Sequence, residues 1–463
     1  MKIFAFKGLL QNDSWISPAY VRCDSKGKIN GIFQSKGPLS IKANEAIEEV
    51  DGYALPGFQN THSHAFQYAM AGLAEIHAES QIADNFWSWR DKMYRIALSI
   101  DPDQMEAIAT NLYSEMLRNG YTHVAEFHYL HHDKNGSQYD NLAEMGERLV
   151  AAAQTVGMKI TLVPMFYQKG GFNTPPEDHQ CRFITKSVDD YWKLLEASEK
   201  AVSPYDGALL GFGAHSLRAV HGNDLKEILN DGPKIFPFHI HISEQLKEID
   251  DCIHFSGKRP VEYLFDQVEV NDRFHLVHAT HLNDREVKMI AQSGAHVILC
   301  PTTEGNLGDG LFRFREYKSG GGKWSVGTDS HVSLNPLEEL RLLDYGQRLV
   351  SHQRDTFVDE SGDSGKYAIT QALLGGRKGM GNYREEFFSV GQPFDAVVFN
   401  AKPPLIATSS TENLLSTILY TADQGMQLGT ITDAVWRYHR DLIEPDHTAN
   451  FQKAVKEIGL RLS

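Results

Sequence analysis

The chain has 463 residues, of which 41% are hydrophobic and 23% charged, and its formal net charge is −15. This length and composition are typical of a globular protein with a large core, either in two domains or in one domain with an appendage. The negative charge argues against nonspecific binding to nucleic acid, and it means that an anionic substrate needs local arginine side chains.

The cysteines and the first residues indicate the compartment. Four cysteines lie far apart without a Cys-x-x-Cys pair, which predicts a reducing environment and neither a disulfide framework nor a cysteine zinc site. The first residues, "MKIFAFKGLLQND", are interrupted by Lys7, and no run of 18 apolar residues occurs. We therefore expect no signal peptide, no membrane span and a cytoplasmic location.

The two ends of the chain carry short β-like pieces. Near the N-terminus these are residues 2–10, 20–33 and 46–57, each accompanied by turn residues. Similar pieces return from about residue 386, and a helical pattern over 448–462 closes the chain. We expect the two ends to pair into a small second domain.

The middle of the chain alternates apolar, β-branched runs with helical patterns, which indicates a parallel α/β sheet. Asp101-Pro102 opens one such helix and Gly120 follows it, while Gly157 follows the next. Eight β-then-α units predict a (β/α)₈ TIM-like barrel. The candidate strands are residues 53–62, 122–129, 159–167, 208–216, 237–244, 274–280, 296–304 and 324–331. The predicted division is 1–55 and 386–463 for the second domain and 56–385 for the barrel.

Polar side chains collect at the predicted strand ends, where barrel active sites lie. His62 and His64 are one residue apart in "PGFQNTHSHAFQ", so both project from the same face of an extended strand. Chance placement of buried or surface histidines does not readily account for five strands at once. The other strand-end groups are His215, Arg218, His239, His241, Glu244, His278, His281 and Asp329.

These residue types indicate a hydrolytic metal site. Imidazole and carboxylate ligands favour a divalent transition metal, with zinc as the first choice. Three histidines, one aspartate and an open position for water suit hydrolysis, because the ion lowers the pKa of that water. Glu244 and His278 are then candidates for proton transfer.

The same residues carry a resemblance to the amidohydrolase superfamily, whose members are metal-dependent hydrolases and deaminases on a distorted barrel with a β-sandwich. The chain is most similar to the formimidoylglutamate deiminases of histidine degradation. This closer similarity covers about residues 50–350 and is loose over the last 75. The segments that carry it include "NTHSHAFQYAMAGLAE", "FWSWRDKMYRIA", "AHSLRAV", "HIHISEQLKEIDDC", "LVHATHLND" and "TDSHVSLNPLEELRLLDYGQR".

The resemblance implies a role for each site residue. A single zinc ion is expected, held by His62, His64, His241 and Asp329, without the carboxylated lysine of two-metal relatives. The implied catalytic residues are Glu244, which shuttles protons, and His278, which orients hydroxide, together with Asp329. The implied substrate-binding residues are Gln67, Arg90, Tyr129, His215 and Arg218.

Three further features have structural interpretations. His239 is expected to pack rather than to bind metal, and residues 126–133, "EFHYLHHD", are expected to form a solvated loop rather than a second metal site. Glu304, in the loop after the seventh strand, is a candidate for substrate contact.

The activity that follows is hydrolytic deimination of N-formimidoyl-L-glutamate to N-formyl-L-glutamate and ammonia. Two arginines suit this dianion, since a guanidinium binds a carboxylate through two parallel hydrogen bonds. The main alternative is a deaminase of a nucleobase or nucleoside such as guanine or cytosine, which has little use for both arginines. A non-catalytic barrel is a remote alternative, because such a protein is expected to have lost metal ligands. A homodimer is expected.

Overall fold

The computed structural model describes residues 2–12, 14–34, 45–73, 75, 86–360, 362–442 and 445–462. The strands are β1 (Lys2–Gln11), β2 (Ser14–Ile16), β3 (Ala19–Cys23), β4 (Ile29–Phe33), β5 (Ala46–Pro56), β6 (Phe58–Ser63), β7 (Tyr121–His128), β8 (Lys159–Phe166), β9 (Ala208–Leu210), β10 (Phe212–Ser216), β11 (Phe238–Ile242), β12 (Phe274–His278), β13 (His296–Leu299), β14 (Lys323–Val326), β15 (Ala396–Asn400), β16 (Gln427–Thr432) and β17 (Val435–His439).

The α-helices are α1 (Phe86–Ser99), α2 (Pro102–Arg118), α3 (Glu144–Val156), α4 (Val188–Val202), α5 (Gly222–Asp231), α6 (Leu246–Ser256), α7 (Pro260–Gln267), α8 (Asp284–Ser293), α9 (Pro301–Leu307), α10 (Phe314–Ser319), α11 (Pro336–Ser351), α12 (Ser364–Gly379), α13 (Pro404–Thr408), α14 (Leu414–Thr421) and α15 (Thr448–Leu462). Among the helices so described, none is long and apolar enough to cross a bilayer.

A parallel barrel forms the centre of the molecule. Its strands are neighbours in the order β6, β7, β8, β10, β11, β12, β13, β14, and β9 extends the pairing beside β8. Hydrogen bonds between the first and last strands close it: Thr61 Oγ1 donates to the Val326 carbonyl at 2.8 Å, and the Asp329 N–H donates to the His62 carbonyl at 3.0 Å. The predicted (β/α)₈ barrel is confirmed.

The predicted helix ends are also confirmed, and each has a local cause. The Asp101 side chain accepts the N–H of Gln104, whose side chain accepts the Asp101 N–H in return, and Pro102 is the first residue of α2. These contacts satisfy N–H groups that lack partners inside a helix. Gly157 ends α3 at φ 75°, a conformation that glycine adopts without strain.

The two ends of the chain form one mixed sheet. In the described residues its order is β17-β16-β15-β5-β1-β3-β4, with β2 beside β1. β5 from the N-terminal segment pairs antiparallel with β15 from the C-terminal segment, Leu55 opposite Val397. The expected pairing of the two ends is therefore confirmed.

Four candidate strands differ most in extent from the observed strands, and one of them, residues 208–216, is divided into β9 and β10. Residues 53–62 belong to two strands in different sheets, β5 and β6, which meet at Gly57, where a Cβ would lie 2.1 Å from Thr122 Cγ2. The seventh strand ends at Leu299, since Pro301 begins α9. The eighth ends at Val326, after which Asp329 adopts a positive φ of 49° and leaves the strand direction.

Helix α12 packs tightly against the last barrel strand. A Cβ on Gly375 would lie 1.9 Å from the Trp324 carbonyl oxygen, so only glycine permits this approach. The Trp324 side chain is buried and stacks on Phe357 with ring centroids 5.8 Å apart.

Three buried histidines form a row across β11, β12 and β13. His239, His275 and His296 are in register, with ring centroids 4.8 Å apart for the first pair and 5.3 Å for the second. His239 Nε2 donates to the Gly379 carbonyl at 3.0 Å, so this histidine packs as expected. Within the described chain, the ring nitrogens of His275 and His296 have no hydrogen-bond partner.

Candidate metal centre and active site

Four predicted ligands meet at the carboxyl end of the barrel. His62 and His64 lie on β6 and just after it, His241 lies on β11, and Asp329 follows β14. His62 Nε2 is 3.1 Å from His241 Nε2 and 3.6 Å from Asp329 Oδ1, and His64 Nε2 is 3.4 Å from the same oxygen. The barrel thus brings together residues that are far apart in the sequence.

These separations fit one small cation. Ligand atoms about 2.0–2.2 Å from a tetrahedral zinc ion are about 3.3 Å from one another, and the three distances above, His62 to His241, His62 to Asp329 and His64 to Asp329, bracket that value. The ligand atoms of His62, His64 and Asp329 all lie within 4.8 Å of one another, and His62 belongs to a second such group with His241 and His278. His62 Nε2 and His241 Nε2 face each other at 3.1 Å, and when neither carries a proton both lone pairs can be donated to an ion between them. The donor set therefore fits a divalent metal.

Burial keeps the three histidines neutral, which is the state in which an imidazole can bind a metal ion. Loss of solvation lowers the pKa of His62 and His241 well below the ordinary value, and it lowers that of His64 to about 3. Burial also raises the pKa of Asp329 to about 7.

The ligand-bearing end of β6 is held by main-chain and carboxylate contacts. His64 Nδ1 donates to the Phe127 carbonyl at 2.9 Å, which directs Nε2 toward Asp329. The buried Glu126 accepts hydrogen bonds from Ser63 Oγ and the Ala65 N–H, both at 2.6 Å. Glu126 therefore fixes the residues on both sides of His64, a role that its sequence position does not reveal.

His278 and Glu244 lie beside this cluster. His278 Nε2 is 3.8 Å from Glu244 Oε1 and 3.7 Å from Asp329 Oδ2. On its other side, Nδ1 is 3.3 Å from Glu304 Oε1, so Glu304 contacts this histidine. Burial opposes protonation of His278, but Glu244, Glu304 and Asp329 outweigh it and raise its pKa to about 10.

A cavity of about 50 Å³ lies beside the cluster. All five residues predicted to bind substrate line it: Gln67, Arg90, Tyr129, His215 and Arg218. Sequence reasoning missed the aromatic part of the wall, which includes Phe86, Trp89, Tyr94, Tyr167 and Phe183. Part of this wall belongs to α1, which was not among the predicted elements.

The two arginines of the cavity have different surroundings. The Arg90 guanidinium lies 4.5 Å from the ring centroid of Trp87 and 5.3 Å from that of Tyr94, a cation–π arrangement. Arg218 Nη1 lies 3.5 Å from Glu248 Oε2. An anion in the cavity therefore meets one guanidinium held by aromatic rings and another held by a buried acid.

The remaining cavity groups are arranged by polar and ring contacts. Gln67 Nε2 donates to the Tyr129 hydroxyl at 3.1 Å. The His215 ring lies 5.3 Å from that of Tyr129 and 4.9 Å from that of His241. Burial lowers the pKa of His215 well below its ordinary value, with Arg218 acting in the same direction.

The expectation of a solvated loop at residues 126–133 was wrong. His128 and His131 are buried, and His132 is partly buried. His131 Nε2 donates to the Met165 carbonyl and His132 Nε2 to the Ile184 carbonyl, each at 2.9 Å. His131 and His132 are therefore held by carbonyl acceptors inside the molecule.

Comparison with known proteins identifies the family. The model of the amidohydrolase family matches residues 53–436. The chain is 43% identical over 378 residues to the formimidoylglutamate deiminase of Pseudomonas aeruginosa, which covers 81% of this chain and 82% of that protein. It is 25% identical over 307 residues to the 8-oxoguanine deaminase of the same organism, covering 64% of each.

Solved structures agree in fold. An amidohydrolase from Brucella melitensis superposes with a TM-score of 0.88 at 38% identity, over 99% of this chain and all of that one. An adenosine deaminase from Xanthomonas campestris with bound zinc gives a TM-score of 0.80 at 19% identity, over 100% of this chain and 98% of that one, and shows likeness of fold alone. The chain therefore belongs to the amidohydrolase family, and it is a metal-dependent hydrolase that acts on carbon–nitrogen bonds.

Proposed function

We propose that the chain hydrolyses N-formimidoyl-L-glutamate to N-formyl-L-glutamate and ammonia, a step of histidine degradation, with one zinc ion. The observation that carries the proposal is a single cavity that combines a cation-sized cluster of histidine and aspartate ligands with two arginines. The 43% identity to a formimidoylglutamate deiminase supports the same substrate.

The proposed zinc ligands are His62, His64, His241 and Asp329. Neutral imidazoles and a carboxylate are ligands that zinc accepts readily, and with three histidines and one carboxylate water takes a fifth position when the coordination expands beyond four. When bound, the ion lowers the pKa of water so that hydroxide is available near neutral pH.

The proton movements fall to Glu244 and His278. The reaction adds one water molecule to the formimidoyl carbon, forms a carbon–oxygen bond and breaks the bond to the terminal nitrogen. Glu244 takes a proton from water and delivers it to that nitrogen, then transfers the remaining hydroxyl proton of the tetrahedral adduct to the same nitrogen, which leaves as ammonia. His278, held through Nδ1 by Glu304, keeps Nε2 directed at the attacking oxygen and stabilises the charge that develops there.

The substrate carries two carboxylates, and we assign their recognition to Arg90 and Arg218. A guanidinium in a largely buried cavity binds a carboxylate through charge-assisted hydrogen bonds. Gln67, Tyr129 and His215 complete the contacts around the substrate. A neutral nucleobase leaves both arginines without a carboxylate, so this geometry favours a dianion.

The test is ammonia release by the zinc-loaded protein, with N-formimidoyl-L-glutamate compared with guanine and cytosine. We expect turnover of the first substrate alone. Asp329→Asn is expected to abolish turnover and to lower zinc content in elemental analysis. Arg218→Met is expected to raise KM at least about tenfold with a smaller effect on kcat, because it removes a charged hydrogen bond to bound substrate.

Arg273→Met is the matched control for the arginine variant. Arg273 is also partly buried and donates to the Pro233 and Leu229 carbonyls, each at 3.0 Å, but it does not line the cavity. An unchanged KM in Arg218→Met refutes the carboxylate assignment. Zinc-loaded wild-type protein that releases ammonia from guanine but not from the formimidoyl compound refutes the proposed function.

A further inference from the structure

Glu248 is a buried acid that contacts two parts of the proposed site at once. It lies in the first turn of α6, and its side chain has no exposed surface. Oε1 accepts the N–H of Ser243 at 3.3 Å, and Oε2 accepts the N–H of Glu244 at 3.1 Å. Oε2 also lies 3.5 Å from Nη1 of Arg218.

The first pair of contacts fixes the turn that presents Glu244. Ser243 has a φ of 54°, a left-handed conformation that non-glycine residues adopt at a cost. Both N–H groups are buried and point at Glu248, which satisfies them where β11 has ended. Without this acceptor, two buried donors lose their partner and the turn loses the contact that offsets its strain.

The third contact fixes Arg218. Arg218 lines the cavity, whereas Glu248, 3.5 Å from Arg218 Nη1, is not among the lining residues. A long arginine side chain has many rotamers, and an ion pair on one side limits the directions that the remaining N–H groups take. Those remaining donors are the ones that a bound carboxylate meets.

We propose that Glu248 is a positioning residue: its single carboxylate fixes the positions of both Glu244 and Arg218. It thereby links proton transfer by Glu244 to substrate binding by Arg218. The kinetic consequences of Glu248 depend on the function proposed above. The geometric content of the proposal, that Glu248 holds the two N–H groups of the turn, does not depend on any substrate.

The first measurement therefore uses no substrate. In hydrogen–deuterium exchange of the zinc-loaded full chain, Glu248→Gln is expected to speed exchange at Ser243 or Glu244 at least tenfold, because the amide offers one acceptor oxygen where the carboxylate offered two. Unchanged exchange at both residues overturns the proposal.

The second measurement is a double-mutant cycle with N-formimidoyl-L-glutamate. Glu248→Gln is expected to raise KM and to lower kcat, each about tenfold. In the Arg218→Met background it is expected to lower kcat as before but to leave KM unchanged, since the arginine that it positions is gone. Effects on KM that add in full to those of Arg218→Met overturn the link to substrate binding.

Glu286→Gln is the matched control. Glu286 is also fully buried and accepts the N–H groups of Asn283 and Val261, at 3.0 and 3.3 Å. It also pairs with Arg259 Nε at 2.7 Å. We expect this substitution to lower the melting temperature and to leave KM, kcat and exchange at Ser243 and Glu244 unchanged. The same kinetic losses in both variants mean a general structural effect and overturn the proposal.

Two outcomes need separate treatment. If Glu248→Gln does not fold, the same measurements are made on Glu248→Asp. This substitution keeps the negative charge but shortens the side chain by one methylene. Absence of turnover in wild-type protein refutes the proposed function, and the exchange measurement then decides on Glu248 by itself.

Discussion

The buried histidine row predicts a loss of stability in acid that can be assigned to one residue. Burial lowers the pKa of His296 to about 3, with Lys378 and Lys323 acting in the same direction, whereas an unfolded histidine has a pKa near 6.5. The folded state therefore holds this ring neutral, and the unfolded state takes up a proton as the pH falls below 6.5. At pH 5.5 the difference amounts to about 1.4 kcal/mol, and at pH 7.5 it is close to zero.

The assay is urea unfolding of wild type and His296→Gln at pH 7.5 and 5.5, with equal metal loading. The free energy of unfolding of wild type is expected to fall by about 1.4 kcal/mol more than that of the variant between the two pH values. Ser325→Ala, a buried substitution on neighbouring β14 without a titrating group, is the control and should follow wild type. An equal fall in wild type and His296→Gln refutes the reasoning.

Two further predictions concern a positioning contact and a packing contact. Glu304→Gln replaces the charged partner of His278 Nδ1, so kcat for ammonia release should fall at least about tenfold with KM little changed, and an unchanged kcat contradicts the assigned contact. Gly375→Ala forces a methyl against the Trp324 carbonyl, so urea unfolding should show a loss of about 3 kcal/mol. Gly459→Ala, a helical position with no atom within 4 Å of the added Cβ, should instead stabilise by about 0.5–1 kcal/mol, and equal losses in the two variants contradict the packing argument.

The barrel and the ligand cluster were predictable because their signals are local. Alternation along a strand places His62 and His64 on one face, and the carboxyl ends of parallel strands meet at one end of the barrel. The fold was expected from these patterns and the family from the resemblance to known sequences, and both are confirmed. The domain boundaries and the homodimer stay predictions.

The supporting acids were not predictable in the same way. Glu126 accepts a hydrogen bond from Ser63, which lies 63 residues earlier in the chain. Glu304 contacts His278, which lies on a different strand of the barrel. Glu248 contacts its own turn, but its link to Arg218 crosses from one loop to another. The periodicity and spacing of residues in the sequence do not predict such contacts, because the contacts depend on how separate loops fold over the barrel.

The same limit explains the wrong interpretation of residues 126–133. A histidine-rich stretch after a strand is polar by composition, and composition alone indicates a solvent-exposed loop. His131 and His132 are instead covered because backbone carbonyls of later segments accept their ring N–H groups. These acceptors are main-chain carbonyl groups, and the pattern of side chains in a sequence does not indicate where such groups will lie.

The pairing of β5 with β15 has a consequence for how the protein is made. β5 leads through Gly57 into β6, the strand that carries His62. β6 is therefore attached to a sheet in which β5 pairs with β15 from the C-terminal segment. A ribosome releases the N-terminal segment long before Ala396–Asn400 emerge, and until then β5 presents an unpaired edge. The sheet that anchors β6 is therefore completed only after Ala396–Asn400 have been synthesised, and until then the β5 edge is open to pairing with other strands.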